Sequence, residues 1–275
     1  MILERSAVSV LLSLFLTGMY KEAMMANVTE WAELVADSGM ALLRNGAETY
    51  RTNETMEYMA KALGAKRIDL FVIPSTVMVS LTNREGESAT IMRKVRNRTI
   101  NLDRVTRINE LSRALVSGEC TFEEAQHLVE VIRRERTGFS IGYSVFFAGL
   151  VGMGCGVMQN ATWPEFVAAF LAGALVRVVA HIVSRVEGTR FLFEFLGAMV
   201  AALFGMLCQH LFPFISRDVV TVGGIMTLVP GVAITNAIRD IINGDNLSGL
   251  VRGLEAALTS VAIAMGVVLI LTLGL

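Results

Sequence analysis

The residues best suited to chemistry form a polar stripe within a long apolar segment. Asn236, Arg239, Asp240 and Asn243 follow one another at three- and four-residue steps, which places them on one face of a helix, and Thr235 flanks that face. Ionic groups are costly in apolar surroundings unless they pair or meet water. A carboxylate, a guanidinium, amides and a hydroxyl on one face therefore suggest a site that binds a polar solute or transfers a proton.

A helix break is predicted just before this stripe. Pro230 lacks an N–H group and clashes with the preceding turn, and Gly231 relieves the backbone after it. A helix that starts at Pro230 would direct its positive N-terminal end at a bound carboxylate. Two interpretations are open. The break lines a solute site, as in transporters with broken helices, or it is a structural kink with an Arg239–Asp240 pair at its end.

The elements that carry the stripe are predicted to cross a membrane. Of the 275 residues 53% are apolar and 18% charged, and the mean hydropathy is +0.57. Residues 1–138 hold 18 Lys/Arg and 18 Asp/Glu, whereas residues 139–275 hold only 6 and 7. A bilayer needs about 20 mostly apolar residues per helix. We predict a polytopic α-helical protein with five spans in residues 137–275, near 139–159, 165–184, 191–211, 219–238 and 254–274.

The basic residues that flank the spans predict their orientation. Arg133, Arg134 and Arg136 precede the first span, and the pairs Arg185/Arg190 and Arg239/Arg252 lie in two later links on the same side. In the links on the other side, Arg217 is the only basic residue. Positive residues favour the cytoplasm, so the N-terminal half should be cytoplasmic and the C-terminus outside.

Small and ionisable residues recur within the spans. Gly152 and Gly156, and the series Gly197, Ala201 and Gly205, have the four-residue step that lets helices approach closely. Alternatively, these residues are ordinary for a glycine-rich membrane sequence and have no role in helix packing. The ionisable candidates to line a path are Arg177, His181 and Glu194. Arg177 can instead extend to the lipid headgroups, and Glu194 can be an interfacial carboxylate.

Residues 27–136 are predicted to form a small cytoplasmic α+β domain. Helical spacing at 28–63 is followed by three short strands at 68–73, 77–81 and 89–92, and then by helices at 102–116 and 122–134. The sequence TFEE at 121–124 predicts a capping box at the start of the last helix. The domain has no P-loop, GxSxG or HExxH sequence, and neither a metal nor another cofactor is expected. Seven basic residues between Arg93 and Arg113 either attract anions or form a solvated face.

The segment 1–26 has an apolar run from Ser6 to Tyr20 that resembles the core of a signal peptide. The run is short for a span and lacks a clear cleavage site, and secretion would place Arg133–Arg136 outside. We interpret the segment as a surface helix, or as extra sequence upstream of a start at Met24 or Met25.

Two sequence motifs resemble the threonine/serine exporter family. They are residues 42–51, LLRNGAETYR, with Glu54 following, and residues 229–249, VPGVAITNAIRDIINGDNLSG. The resemblance implies a cytoplasmic domain and five spans, and it identifies the chain with the larger subunit of a split exporter. The expected partners are a smaller membrane subunit, the bilayer and a small-molecule substrate, with a higher oligomer also compatible and no nucleic acid, since the net charge is −1.

The resemblance also implies roles for residues. Secondary export from the cell, across the plasma (inner) membrane, is expected for threonine and serine, or for small carboxylates such as succinate. The substrate or translocation candidates are Pro230, Gly231, Thr235, Asn236, Arg239, Asp240, Asn243 and Asp245, and the gating candidates are Gly46, Glu48, Arg51 and Glu54. The alternatives are a membrane-anchored hydrolase and a sensor or scaffold, both of which would use the cytoplasmic domain.

Overall fold

The computed structural model describes residues 28–135, 139–183 and 191–274. The predicted segment 1–26 and the basic residues Arg136, Arg185 and Arg190 lie outside these ranges. The described chain divides into two units. The first contains 28–135 together with Asn236–Leu250, and the second contains the rest. Residues 236–250, which the sequence pattern had joined to the membrane domain, therefore group with the polar half of the chain.

The first unit has two helices, three strands and two more helices, in the predicted order. The elements are α1 (28–44), α2 (Thr49–Ala62), β1 (Arg67–Ile73), β2 (Thr76–Thr82), β3 (Ser88–Lys94), α3 (Leu102–Ser117) and α4 (Phe122–Arg134). The predicted capping box at the start of α4 is present, because Thr121 and Glu124 exchange side-chain-to-backbone hydrogen bonds.

The three strands form one antiparallel sheet with β2 in the centre. Val77, Val79 and Leu81 alternate along β2 and are completely buried in the same core as Met56 and Met59 of α2. The opposite face of the sheet is accessible: Phe71, Met78 and Met92 are exposed and lie side by side across the three strands. The buried face of the sheet thus packs against α2 and positions its N-terminal end.

The second unit is helical. It contains α5 (Ile141–Met158), α6 (Trp163–Val183), α7 (Leu192–Leu211) and α8 (Arg217–Ile225), and it shares α9 (Gly231–Ile242) and α10 (Asn246–Thr272) with the first unit. Four described helices, α5, α6, α7 and α10, are long and apolar enough to cross a membrane. Their exposed large side chains are mostly aliphatic or aromatic, which is typical of surfaces that face lipid.

The fourth predicted span is interrupted. Residues 219–238 are divided between α8, which ends at Ile225, and α9, which begins at Gly231. Ile234 donates its N–H to the carbonyl of Pro230, so the new helix starts directly at the proline. The break is therefore confirmed, while a membrane span at this position, in addition to the four long apolar helices, stays a prediction.

Small residues allow the helices of the second unit to approach one another, as their spacing predicts. A Cβ atom on Gly152 of α5 would lie 2.4 Å from the carbonyl oxygen of Ala169 in α6. Glycine is required at this position because the obstructing atom is backbone and has little freedom to move. Gly205 is similarly crowded by Thr221, and Ala201 is completely buried.

Candidate functional site

The site is built on the turn between α1 and α2. The N–H of Gly46 bonds to the carbonyl of Leu43, and that of Ala47 bonds to the carbonyl of Leu42, which together form a Schellman motif. Gly46 has φ +95°, a conformation that side chains with a Cβ rarely adopt. The sharp turn exposes the Gly46 carbonyl and leads the chain at once into the first residues of α2.

A distant carboxylate caps the N-terminus of α2. Glu48 is the N-cap residue, but its side chain makes no capping hydrogen bond. Instead Asp240 of α9 accepts the backbone N–H of Thr49 at 2.9 Å through Oδ1 and the Thr49 hydroxyl at 3.1 Å through Oδ2. Asp240 is completely buried. Its negative charge is favourable here because the free N–H groups and the dipole of a helix make its N-terminus positive.

Two neighbouring residues of α9 bind the same turn. The Asn236 amide donates to the Gly46 carbonyl at 3.0 Å, and Arg239 Nη1 donates to Glu48 Oε1 at 2.5 Å. Glu48 also lies 3.9 Å from the guanidinium of Arg51. We call this group of residues the Asp240 cluster: Gly46, Glu48, Thr49, Asn236, Arg239 and Asp240. It joins the two sequence motifs through polar contacts.

Helix α9 is oriented with its polar face inward. Asn236 and Asp240 are buried, whereas Ile238, Ile241 and Ile242 are exposed. An ordinary helix of a water-soluble domain buries the opposite face. The exposed isoleucines therefore indicate a helix that meets lipid or another apolar surface on one side and a polar partner on the other.

The other candidates from the sequence lie around this cluster or in the second unit. Pro230, Gly231 and Thr235 belong to the second unit, where the Thr235 hydroxyl bonds to the Gly231 carbonyl. Asn243 is exposed and its amide bonds to the carbonyl of Arg239. Glu54 is exposed on α2. In the second unit Arg177 and His181 are exposed and Glu194 is buried, and their role as path-lining residues stays a prediction.

A polar cavity of about 300 Å³ lies beside the Asp240 cluster within the first unit. Its walls are the start of α2, the end of β1 and the segment that joins α9 to α10. We call it the Asp245 cavity; it is lined by Thr49, Asn53, Leu70–Ile73 and Gly244–Ser248. Burial, and secondly the nearby Asp240 carboxylate, raise the pKa of Asp245 above its ordinary value.

Three residues that make contacts at the candidate site or within the second unit were not singled out from the sequence. Thr49 binds Asp240, Ser248 lines the cavity, and Glu165 of α6 accepts hydrogen bonds from Thr162 and from the backbone of Ser216. Glu165 thereby joins two connections at one end of the second unit. An acidic residue at the start of an apolar segment was the only sequence signal for Glu165. Thr49 and Ser248 lie within the two motifs but resemble ordinary residues of a helical first turn.

The basic run between Arg93 and Arg113 is partly neutralised. Arg93 pairs with Asp37 at 2.8 Å, and Arg107 pairs with Glu135 at 2.5 Å. The Glu135 interaction raises the pKa of Arg107 and lowers that of Glu135. Within the described ranges, no group of three or more His, Cys, Asp or Glu side chains is arranged to hold a metal ion.

Comparison with known proteins gives concordant results. The ThrE family model, which describes threonine/serine exporters, matches residues 33–274. The chain is 26% identical to the "Probable succinate transporter subunit YjjP" of Escherichia coli (strain K12), over 87% of this chain and 93% of that protein. It is 21% identical to the "Probable threonine/serine exporter" of Mycobacterium tuberculosis, over 83% of this chain and 43% of that longer protein. No solved structure matches the chain.

The family model covers both motifs of the Asp240 cluster and all four long apolar helices. The hydrolase alternative is therefore wrong, since the matching family consists of transporters. The chain is a multi-pass membrane protein that belongs to the threonine/serine exporter family.

Proposed function

We propose that this chain is the larger subunit of a two-component secondary exporter. It acts with a smaller membrane subunit to move threonine and serine, or a related small carboxylate such as succinate, out across the plasma membrane. The similarity to a protein named as a succinate transporter subunit supports both a partner subunit and a carboxylate substrate. The similarity to a threonine/serine exporter supports the amino-acid substrates.

The Asp240 cluster is the observation that carries this proposal. Asp240 is a buried carboxylate whose two hydrogen bonds join α9 to the start of α2. Protonation, or a competing ammonium group, weakens these bonds because the charge of Asp240 is what makes them strong. The cluster therefore acts as a gate: Asp240 is the proton or ammonium partner, and Arg239 is its neighbouring positive charge. Gly46, Glu48, Arg51 and Glu54 form the α2 side of the gate.

The break before α9 provides the path to this gate. Segment 219–238 is the fourth of the five spans, and residues 226–230 leave the helix within it. Non-helical backbone inside a membrane is tolerated where it lines protein or a water-filled cavity. Pro230 and Gly231 make the break, and Thr235, Asn236, Asn243 and Asp245 supply ligands. Arg177, His181 and Glu194 line the path in the second unit.

The proposed topology suits a two-component assembly. The flanking arginines favour a cytoplasmic position for the polar N-terminal unit. Because five is an odd number of spans, the C-terminus then lies outside. A similar five-span unit of opposite orientation would complete the inverted repeat that many secondary transporters share.

Efflux measurements test the proposal. Cells that express both subunits are loaded with labelled threonine, serine or succinate, and the rate of efflux is measured. We expect export of at least one solute to require both chains, and Asp240→Asn to reduce its rate at least tenfold, because loss of the charge weakens the bonds to Thr49. Pro230→Ala should also slow export, since it favours a continuous helix.

Glu57→Gln is the matched control, because Glu57 is a carboxylate on α2 that pairs only with the exposed Lys61 among the described residues. Its export rate should equal that of the wild type. Unchanged export by both Asp240→Asn and Pro230→Ala would reject the site. Normal assembly of the two chains without any solute efflux would reject the exporter and favour a sensor or scaffold.

A further inference from the structure

A groove of about 650 Å³ lies at one end of the second unit, where α7 ends, α8 begins and α10 ends. We call it the Arg217 groove; it is lined by Leu203, Met206, Leu207, Gln209, His210, Arg217, Leu271 and Gly274. None of the residues proposed above for export belongs to this described lining. Protein sites for organic ligands measure roughly 300–1,000 Å³, so the groove is large enough to hold one.

One face of α7 forms the long wall of the groove. Four lining residues follow one another on this face at three- and four-residue steps: Leu203, Met206, Leu207 and His210. The first three are apolar, and Leu203 and Leu207 are exposed. The seven residues from Leu203 to His210 rise about 10 Å along the helix axis. Over that distance the wall changes from apolar to polar.

The polar end of the groove is positively charged. Arg217 lines it together with Gln209 and His210, and no aspartate or glutamate belongs to the described lining. The neighbouring Asp218 side chain is 78% exposed and lies 3.5 Å from Arg217 Nε, so solvent screens this pair. A guanidinium has five N–H donors, which leaves donors for a second anion.

Close packing positions Arg217 beside α7. A Cβ atom on Gly205 would lie 2.8 Å from the carbonyl oxygen of Arg217, so the start of α8 touches the backbone of α7. Gln209 follows Gly205 by four residues and therefore lies one turn further along the same face of α7. The cationic and amide groups thus gather at the same end of the groove.

The apolar part of the groove belongs to a surface suited to lipid. Both α7 and α10 are long and apolar enough to cross a membrane, and Leu207 and Leu271, which line the groove on these helices, are exposed. Arg217 is also the only basic residue of the links 160–164 and 212–218, which are predicted to lie outside. A basic residue at the end of membrane helices attracts anionic lipid headgroups.

We propose that the Arg217 groove binds one phospholipid with an anionic headgroup. The phosphate contacts Arg217, with Gln209 and His210 as further hydrogen-bond donors, and one acyl chain lies along the apolar side chains of α7 and α10. An acyl chain gains little by leaving the bilayer for such a groove, because lipid tails are as apolar as leucine. The headgroup charge therefore decides which lipid is bound. This inference goes beyond the proposed export function, since the lipid is a separate ligand at a separate site.

Native mass spectrometry of the full chain tests the proposal. The chain is purified in a neutral detergent and mixed with equal amounts of phosphatidylglycerol and phosphatidylcholine that have identical acyl chains. We expect the wild type to retain phosphatidylglycerol roughly fivefold better, because one basic residue near the headgroups favours an anionic lipid by about this factor. Arg217→Gln should retain the two lipids equally.

Two matched controls separate charge from shape. Arg84→Gln removes the same charge from an exposed position between β2 and β3, and it should keep the preference of the wild type. Leu207→Trp places a bulky side chain on the apolar wall and should lower the retention of both lipids. Leu211→Trp, at an exposed position outside the lining, should not.

The inference is overturned if the wild type retains both lipids equally, or if Arg217→Gln keeps the preference. Leu207→Trp provides the second test if Arg217→Gln fails to fold, and normal retention of phosphatidylglycerol by this variant would contradict the groove. Displacement of the lipid by inorganic phosphate would assign the groove to a soluble anion, and displacement by the smaller subunit would assign it to a protein contact. Either result also overturns the inference.

Discussion

At the scale of single residues, the start of α2 is stabilised by an unusual partner. Helix N-termini are commonly capped by the side chain of the N-cap residue or one close to it. Here the carboxylate comes from Asp240, 191 residues from Thr49 along the chain. The adjacent ion pair of Arg239 and Glu48 differs in kind, because the Arg239 side chain is 55% exposed. Solvent therefore screens the ion pair of Arg239 and Glu48, whereas the buried contact between Asp240 and Thr49 is shielded from solvent.

We predict that the buried contact contributes more to stability than the ion pair. Asp240→Ala removes a cap and leaves buried donors without an acceptor, so the free energy of unfolding should fall by about 2 kcal/mol. Arg239→Gln should lower it by about 1 kcal/mol, because the Arg239 side chain is 55% exposed to solvent and Arg51 stays 3.9 Å from the buried Glu48 carboxylate. Chemical unfolding of the purified chain in detergent measures both. Equal losses, or a larger loss for Arg239→Gln, would contradict the larger contribution of the buried contact.

At the scale of elements, small residues determine which helices of the second unit meet. Gly152 of α5 lies against the backbone of α6, and Gly223 of α8 is close to the same glycine. Apolar side chains gain little by leaving lipid for a helix interface, so close packing has to supply the attraction. Glycines that permit backbone contact therefore have a larger effect in this unit than bulky apolar residues on its surface.

Paired glycine substitutions in α5 test this view. Gly152→Ala places a methyl group 2.4 Å from the Ala169 carbonyl, so we expect a destabilisation of about 1–3 kcal/mol. Gly154→Ala is the matched control, because open space surrounds that position and alanine favours a helix. The two variants are compared by their thermal unfolding midpoints in detergent. A midpoint for Gly152→Ala as high as that of Gly154→Ala would contradict close α5–α6 packing.

At the scale of the whole molecule, the uneven distribution of charge divides the chain. Residues 1–138 hold 36 of its 49 charged residues, and the four long apolar helices all lie beyond them. The arginines beside the spans lie mainly in alternate links. The same distribution that separates a polar unit from a membrane unit therefore also predicts which side of the bilayer each link occupies.

Labelling of intact cells tests the predicted orientation. In a variant with the three native cysteines replaced, Asn160→Cys between α5 and α6 should react with a maleimide that does not cross membranes. Glu85→Cys between β2 and β3 should react only after the cells are permeabilised, because its link is predicted to be cytoplasmic. Labelling of Glu85→Cys in intact cells would show that the orientation is opposite to the predicted one, and it would contradict the proposed outward direction of transport.

Local physical chemistry explains how much the sequence alone predicted. The strands, the capping box at Thr121 and the break at Pro230 depend on neighbouring residues, so alternation, a capping pair and a missing N–H group were sufficient signals. The membrane assignment depends on the length of apolar runs, which is likewise readable from the chain. The stripe of Asn236 and Asp240 was also identified as one face of a helix.

The partners of that stripe were decided only by the tertiary structure. No local pattern indicates that Asp240 caps the helix at Thr49, or that Asn236 reaches the carbonyl of Gly46. Both contacts join residues about 190 positions apart, and any buried carboxylate has many helix starts available to it along the chain. The Asp245 cavity could not be predicted for the same reason. Its walls come from a helix, a strand and a connection that only folding brings together.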